Sequence, residues 1–437
     1  MTGANRLDGS LVKTSTPQIW RVELSTGPTQ VFIDNGRGRR VISVAACTTY
    51  RDWCWTSGTL TVRGKDSGTR PLVEASVRDI VLNTNGFPGI RIEGLRLERA
   101  RRHCVVLGAA QAPVIRNCEI VEAFQNGIEF GTEHTHDNGL IEANLVSEHG
   151  QTGINGGGRM NGWTIRGNQV IGCGRIHNEM VGADPGHQWT AGIKIWGWAA
   201  SGIQGGLLIE GNSVADCRIH AWAPENQAPH NHGCGIWIDE VFAPRAPQVV
   251  RANRIANCQS RGIFIEKSDD CVVQSNSIDS CGKALYTGGI SVQGNNGRGA
   301  ARNTIEHNTV RGGWWAAEIG GQSVTAFDDN IVRNNIFYGS PNQQLYVVGG
   351  GANLSGKGKG NLYYSNCTGP ERTNFLTWEQ LYDTIADFQA ASGGKAYGNQ
   401  GGDPRFASTA LGNMSLASDS ICLGAATDGG HIGAWQG

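Results

Sequence analysis

The sequence predicts an all-β fold, a right-handed parallel β-helix of about nine to ten coils with an N-terminal β lead-in and a C-terminal capping helix. Three observations predict it. Glycine is abundant, 64 of 437 residues, yet shows neither a Gly-X-Y period nor a low-complexity run. An asparagine-centred motif recurs as IRNCEI at 115, LIEANLV at 140, TIRGNQV at 164, LIEGNSV at 208, VRANRI at 250, VQSNSI at 273, IEHNTV at 305 and IVRNNI at 331. A Gly-Ile strand alternates with it, as GIRI at 89, GIEF at 127, GING at 153, GIKI at 192, GIWI at 235, GIFI at 262 and GISV at 289.

Each motif is a short alternating strand beside a turn-forming Gly or Asn, a strand signal and not a helical one. Strands this short bury a face only when stacked coil on coil, with the asparagines hydrogen-bonding up and down a ladder at the bends. Leucine-rich repeats and propellers need a different consensus. Taken in order, residues 1–88 form a β-rich lead-in (VFID, RRVISVAA, GTLTVRG, PLVEASVRDIVL) that caps the first coil. Residues 89–350 form the solenoid. In the closing segment 351–437, TWEQLYDTIADFQAA predicts a helix over 377–391, with Thr377 and Gln380 as a capping box and Trp378, Leu381, Ile385 and Phe388 on one face.

Charge is balanced, net −1 with 17% charged residues, and predicts neither a nucleic-acid nor a membrane partner. No stretch is long and apolar enough to span a bilayer. Of the twelve cysteines, Cys173, Cys217, Cys258 and Cys281 each follow a repeat asparagine by five residues. They are read as a stacked ladder of buried free thiols. No Cys or His spacing suits a metal, so no metal site and no cofactor are expected; calcium at the turn acids Asp269 and Asp270 is left open.

Two coils are oversized. Residues 173–191 and 217–233 leave the ladder at one corner and return just before a Gly-Ile strand. They bring Glu179, Asp184, His187, Trp189, His220, Trp222, His230 and His232, and with His177 five of the eleven histidines. Insertions at one corner of a solenoid form loops on one face, here read as a binding rim.

Strand alternation then places the chemistry. One outward column reads Trp196, Asp239, Glu266, Gln293; its neighbour reads Lys194, Trp237, Phe264, Ser291, with Glu318 further along. Glu129 lies outward in an earlier coil. Stacked strands lie about 4.8 Å apart, so Asp239 and Glu266 are expected at the roughly 5 to 5.5 Å separation of a retaining glycosidase. Mutual repulsion raises one pKa, leaving a protonated acid beside an ionised nucleophile. Trp196, Trp237, Lys194, His187, Trp189, Trp222, His232, Gln293 and Glu318 are the expected substrate-binding residues. Glu240 is expected to point inward or into the following turn.

The coil pattern resembles the right-handed parallel β-helix carbohydrate-active enzymes. The pair GIWID and GIFIE is similar to the active-site coils of β-helical glycoside hydrolases of the β-xylosidase type. That resemblance implies Asp239 as nucleophile and Glu266 as acid/base in a poly- or oligosaccharide hydrolase. The ending DPRF with DGGHIGAW is similar to the close of many secreted β-helix proteins. It implies an extracellular or periplasmic protein, although the N-terminus MTGANRLDGSLVKTS lacks a signal-peptide pattern. The protein would act as a monomer or homo-oligomer. Glu240 stands where those relatives have an aromatic, and the lead-in is shorter than their extra domain, so sugar specificity does not transfer.

Two other readings use the same fold. A polysaccharide lyase or epimerase would take Lys194, His187, His232 or Arg261 as base on a uronate-containing glycan. A non-catalytic glycan-binding, tailspike-like protein would carry the acids in a groove without turnover.

Overall fold

In the computed structural model, the described residues are all those from Met1 to Ala434 except 110, 132–134, 175–188, 198–204, 219–232, 243, 245, 284–286, 295–298, 321–326, 348–359, 370–374, 378–379, 409 and 411–413. Three long parallel sheets stack coil on coil, one of twelve strands and two of eleven among the described residues.

The first sheet carries the Gly-Ile strands. Seven of its strands matter below: β1 (Ile154–Gly156), β2 (Ala191–Trp196), β3 (Cys234–Asp239), β4 (Ile263–Glu266), β5 (Gly288–Gln293), β6 (Trp315–Ile319) and β7 (Gln343–Val347). Each pairs in parallel with the next. Their inward residues form one stack, Ile154, Ile193, Ile236, Ile263 and Ile290, all fully buried in the main core. No single coil could enclose that surface, so the stack is the unit that buries it.

Alternation fails at one point, and glycine is the reason. In β3 both Gly235 and Ile236 face the interior. A Cβ on Gly235 would stand 2.5 Å from Gly262 O and 2.5 Å from Ile255 Cγ2, and one on Gly262 2.7 Å from Gly289 O and 2.4 Å from Ile278 Cγ2. The chain bends so tightly there that each coil's glycine lies against the carbonyl of the next. Only a residue without a side chain fits.

The asparagines form a continuous ladder. Asn144, Asn168, Asn212, Asn253, Asn276, Asn308, Asn335, Asn366 and Asn399 follow one another, each backbone N–H donating to the next side-chain oxygen at 2.9–3.0 Å. The side-chain amides also reach carbonyls of the preceding coil, as Asn253 Nδ2 does to Ile209 O at 3.0 Å. In the IRNCEI coil the ladder position belongs to Cys118, whose N–H donates to Asn144 Oδ1 at 2.9 Å.

Three sequence expectations are corrected. GIRI at 89 is not a first-sheet strand: Arg91–Glu93 pairs with Val114–Arg116 in the second sheet. The first sheet instead starts at Ile80–Asn83, inside the expected lead-in, because that segment pairs with His103–Val106. At the other end, strands Leu362–Tyr364, Cys367–Thr368, Ala396–Tyr397 and Gln400–Gly401 carry the second and third sheets past residue 350.

The third correction is the helix expected over 377–391. Phe375–Thr377 and Gln380–Tyr382 are strands, paired antiparallel, that close the last edge of the first sheet. The helix, α1, spans only Ile385–Ala391, with Thr384 as its N-cap accepting from Asp387 N at 3.1 Å. Pairing at an otherwise open sheet edge overrides helical periodicity in this stretch. Phe388 packs from α1 toward Tyr363 and Tyr382 in the main core.

The residues before Ile80 build a four-stranded and a five-stranded sheet around Trp20, Trp53, Leu60 and Val62. They meet the first coils through Gly3 N to Glu98 O at 2.8 Å, Gln30 Nε2 to Ala100 O at 3.0 Å, and Arg99 over the Phe32 ring at 4.4 Å. No helix among the described residues is long and apolar enough to cross a membrane.

Candidate active site

Strand register assembles the site. Trp196, Asp239, Glu266 and Gln293 are successive partners across β2, β3, β4 and β5. Beside them, Lys194, Trp237, Phe264, Ser291, Glu318 and Tyr346 are successive partners from β2 to β7.

The second column points away from the core, yet it is not open to solvent. Lys194 is 6% exposed, Trp237 and Phe264 1%, Ser291 0% and Glu318 4%. Trp237 therefore offers no free stacking platform. Its ring packs on Phe264, centroids 5.2 Å apart, with Ala191 and Cys234 beside it, and Lys194 Nζ sits 3.4 Å from its centroid. Alternation gives the side of the sheet a residue faces; it does not give whether that side is covered.

Lys194 also pairs with Asp239, Nζ to Oδ2 at 3.1 Å. Burial pushes the Asp239 carboxyl above the usual aspartate range, and Lys194 opposes the push. Burial likewise pushes Glu266 up, and here the largest neighbouring influence, the Asp239 charge, pushes the same way; Lys267, Lys194 and Arg261 act against it. The nearest strong influence thus favours the charged form at Asp239 and the neutral form at Glu266.

Past Glu266 the column ends in a polar network. Gln293 Oε1 accepts from Arg261 Nη2 at 3.0 Å, and Gln293 Nε2 donates to Glu318. Glu318 also accepts from Ser291 Oγ at 2.9 Å and lies 3.8 Å from Arg261, whose guanidinium covers the Phe264 ring at 4.1 Å. Burial raises the Glu318 pKa, with Arg261, Ser291 and Gln293 opposing. Gln293 and Glu318 are thus held in place by fixed partners beside the acid pair.

The remaining sites fall as follows. Trp196 packs over Gly157, where a Cβ would come within 2.6 Å of its ring. Trp189 is 55% exposed, its ring centroid 5.5 Å from Lys194 Nζ. His187, Trp222 and His232 lie outside the described residues, as do Glu179, Asp184, His220 and His230. Glu240 takes the second of its two expected places, the turn after the strand, in the left-handed region at φ 56°, and accepts from Lys267 Nζ at 2.9 Å. Glu129 is half-buried and accepts from Asn126 at 2.6 Å and Asn155 at 2.8 Å.

Asp270 is bound by both arms of Arg302 at 2.8 Å, and Asp269 accepts from Ala301 N at 2.9 Å. Both acids thus serve the turn. The described residues contain no His, Cys, Asp and Glu group arranged to hold a metal.

One residue escaped sequence reasoning although its position was countable. His149 follows Asn144 by five residues, the spacing of the Cys173, Cys217, Cys258 and Cys281 ladder. It fills the same interior place: a Cβ on Gly127 would meet its ring at 2.6 Å, as one on Gly153 or Gly192 would meet the sulfur of Cys173 or Cys217 at 3.1 Å. All twelve cysteines are buried free thiols.

Known proteins bear on the fold. Residues 79–240 and 192–368 match the right-handed β-helix region family. Among solved structures, XylC in complex with xylose aligns with a TM-score of 0.61 at 14% identity, covering 93% of this chain and 76% of that one. The Dettilon tailspike protein aligns at 0.39 and 13% identity, covering 68% and 54%. The catalytic unit of an α-1,3-glucanase from Streptomyces thermodiastaticus strain HF3-3 aligns at 0.34 and 11%, covering 91% of each. No curated protein sequence matches. With the family match running through most of the chain and three stacked parallel sheets to account for it, this protein belongs to the right-handed β-helix family.

Proposed function

We propose that this protein is a retaining glycoside hydrolase acting on a poly- or oligosaccharide. The observation that carries the proposal is the direct pairing of Asp239 with Glu266 on adjacent strands, in unlike electrostatic settings. One strand spacing, about 4.8 Å, matches the roughly 5 to 5.5 Å that retention requires and falls short of the 6.5 to 9.5 Å of inversion.

Asp239, kept anionic by Lys194, attacks the anomeric carbon. As the glycosidic bond breaks, Glu266 gives its proton to the leaving oxygen. Glu266, now anionic, takes a proton from water, and that water's oxygen displaces Asp239 to release the sugar. Exposed Trp189 and half-buried Trp196 flank the acid pair on its Lys194 side and offer apolar faces to sugar rings. Of the four bases a lyase would use, the two among the described residues are engaged, Lys194 by Asp239 and Arg261 by Gln293 and Glu318.

The test is turnover on a glycan panel that begins with xylo-oligosaccharides, for the wild type beside Asp239→Asn and Glu266→Gln. Each variant should lose about 10²- to 10⁴-fold in rate, and azide should restore turnover in Glu266→Gln. Full activity in both variants would sink the proposal. A product absorbing in the ultraviolet would reassign the site to a lyase, and binding without turnover to an adhesion protein.

A further inference from the structure

Building on the hydrolase reading, we infer that Lys194 is a positioning residue that selects the attacking oxygen of Asp239, holding Oδ2 and leaving Oδ1 to meet the anomeric carbon. Lys194 is not the register partner of Asp239; it faces Trp237, and Asp239 faces Trp196. The ammonium therefore reaches diagonally, and its place is set from two sides. Trp237 presents its ring face 3.4 Å away and Trp189 a second ring at 5.5 Å, an arrangement that attracts a cation electrostatically. With Nζ anchored over indole, the carboxylate must turn one oxygen toward it.

The other oxygen supplies the second observation. Asp239 Oδ1 is buried and has no hydrogen-bond partner among the described residues. A buried carboxylate oxygen left bare is unfavourable in a resting protein and calls for an explanation, of which a catalytic role is one. Here it is the one lone-pair donor of Asp239 not already committed to a cation.

The step balances without any further reactant. An Oδ1 lone pair forms the bond to the anomeric carbon, and the electrons of the breaking glycosidic bond pass to the leaving oxygen, which takes the Glu266 proton. Water then replaces Oδ1 and returns its proton to Glu266. Lys194 exchanges no proton in either step and offsets the charge that reappears on Asp239.

Other charged groups near Asp239 do not replace Lys194. Glu266 faces it from β4, and Glu240 and Lys267 lie in the turns that follow the two strands. Lys267 is engaged by Glu240 at 2.9 Å. Among the described residues, without the Lys194 charge Asp239 would face two carboxylates with only Lys267, itself bound to Glu240, to oppose them.

The experiment is the pH profile of kcat/KM on a glycan the wild type turns over, for wild type, Lys194→Met, Lys194→Gln and Lys194→Arg. In the two neutral variants the acid limb should rise by about 1 to 3 pH units, with kcat/KM down about a hundredfold; in Lys194→Arg the limb should hold. A merely structural lysine would lower the melting temperature and leave the limb in place, and an unmoved limb in either folded neutral variant overturns the inference. Independently of any Lys194 variant, the wild type trapped with a 2-fluoroglycoside should carry the sugar on the Asp239 oxygen that Lys194 does not hold. An ester on the lysine-bound oxygen overturns it as well. A wild type silent on every glycan sinks the hydrolase reading and this inference with it; an active wild type with an unmoved limb sinks this inference alone.

Discussion

Asp239 and Glu266 are register partners on adjacent parallel strands, and the charge of the first is the largest neighbouring influence raising the pKa of the second. Burial first, and the Asp239 charge second, thus favour the neutral form of Glu266, the proposed general acid. Glycosidase activity needs Glu266 protonated, so turnover should fall as pH rises through a midpoint above the ordinary glutamate value. Asp239→Asn removes the charge and leaves the burial. The Glu266 midpoint, followed by carboxyl ¹³C NMR, should therefore move down in that variant without reaching the value of a free side chain; no movement would show that the carboxyls do not interact.

Gly235→Ala tests the bend that sets this register. Its new methyl would stand 2.5 Å from the Gly262 carbonyl oxygen, so β3 must shift against β4. Such overpacking costs about 1–3 kcal/mol, and a displacement of about 1 Å between reacting groups costs about a hundredfold in rate. We expect a lower melting temperature together with a larger loss in kcat than in KM. An unchanged kcat would mean that the bend does not control the spacing of the acids.

Asn253 links three coils. It accepts from Asn212 N at 2.9 Å and Asn212 Nδ2 at 3.0 Å, and donates to Asn276 Oδ1 at 2.9 Å and Ile209 O at 3.0 Å. Asn253→Ala strands several buried partners at once, each worth about 1–3 kcal/mol. The loss in chemical denaturation should reach about 3 kcal/mol or more. Asn253→Asp keeps the acceptor but not the donor, and should also destabilise; a neutral result in both would mean that the ladder is ornamental.

His149 should make the protein acid-sensitive. Ala123 N–H donates to its Nδ1 at 3.1 Å, so Nε2 carries the proton and faces Ile120 O at 3.0 Å. Burial holds this neutral ring down to a pKa of about 3, against an ordinary 6.5. Between those values the unfolded chain binds a proton that the native one does not. The contribution is therefore intact above pH 6.5 and is lost as pH falls, by about 2 kcal/mol from pH 7 to pH 5. His149→Cys, which installs the residue of the neighbouring coils, should flatten the pH dependence of unfolding by that amount, whatever it does to stability at pH 7.

Much of this molecule is written in its one-dimensional pattern. In a solenoid, equal spacing along the chain becomes stacking in space, so the 27 residues from Asp239 to Glu266 are one coil and the acids must be neighbours. The same logic made the asparagine and cysteine ladders legible and would have exposed His149 had the count been continued to Asn144. Periodicity could not give what depends on segments remote in sequence. It marked Trp237 and Lys194 as outward but not as covered, because burial is decided by whatever packs over a sheet. It read 377–391 as helix because the open sheet edge that recruits the strands Phe375–Thr377 and Gln380–Tyr382 exists only once the coils have stacked. It paired residues straight across strands, whereas the contact from Lys194 to Asp239 is diagonal and is set by a tryptophan ring. Sequence alone therefore determined which two carboxylates meet; tertiary packing decided that Lys194 opposes the upward push of burial at Asp239 while the Asp239 charge adds to it at Glu266, because only packing sets burial and the reach of a neighbouring charge.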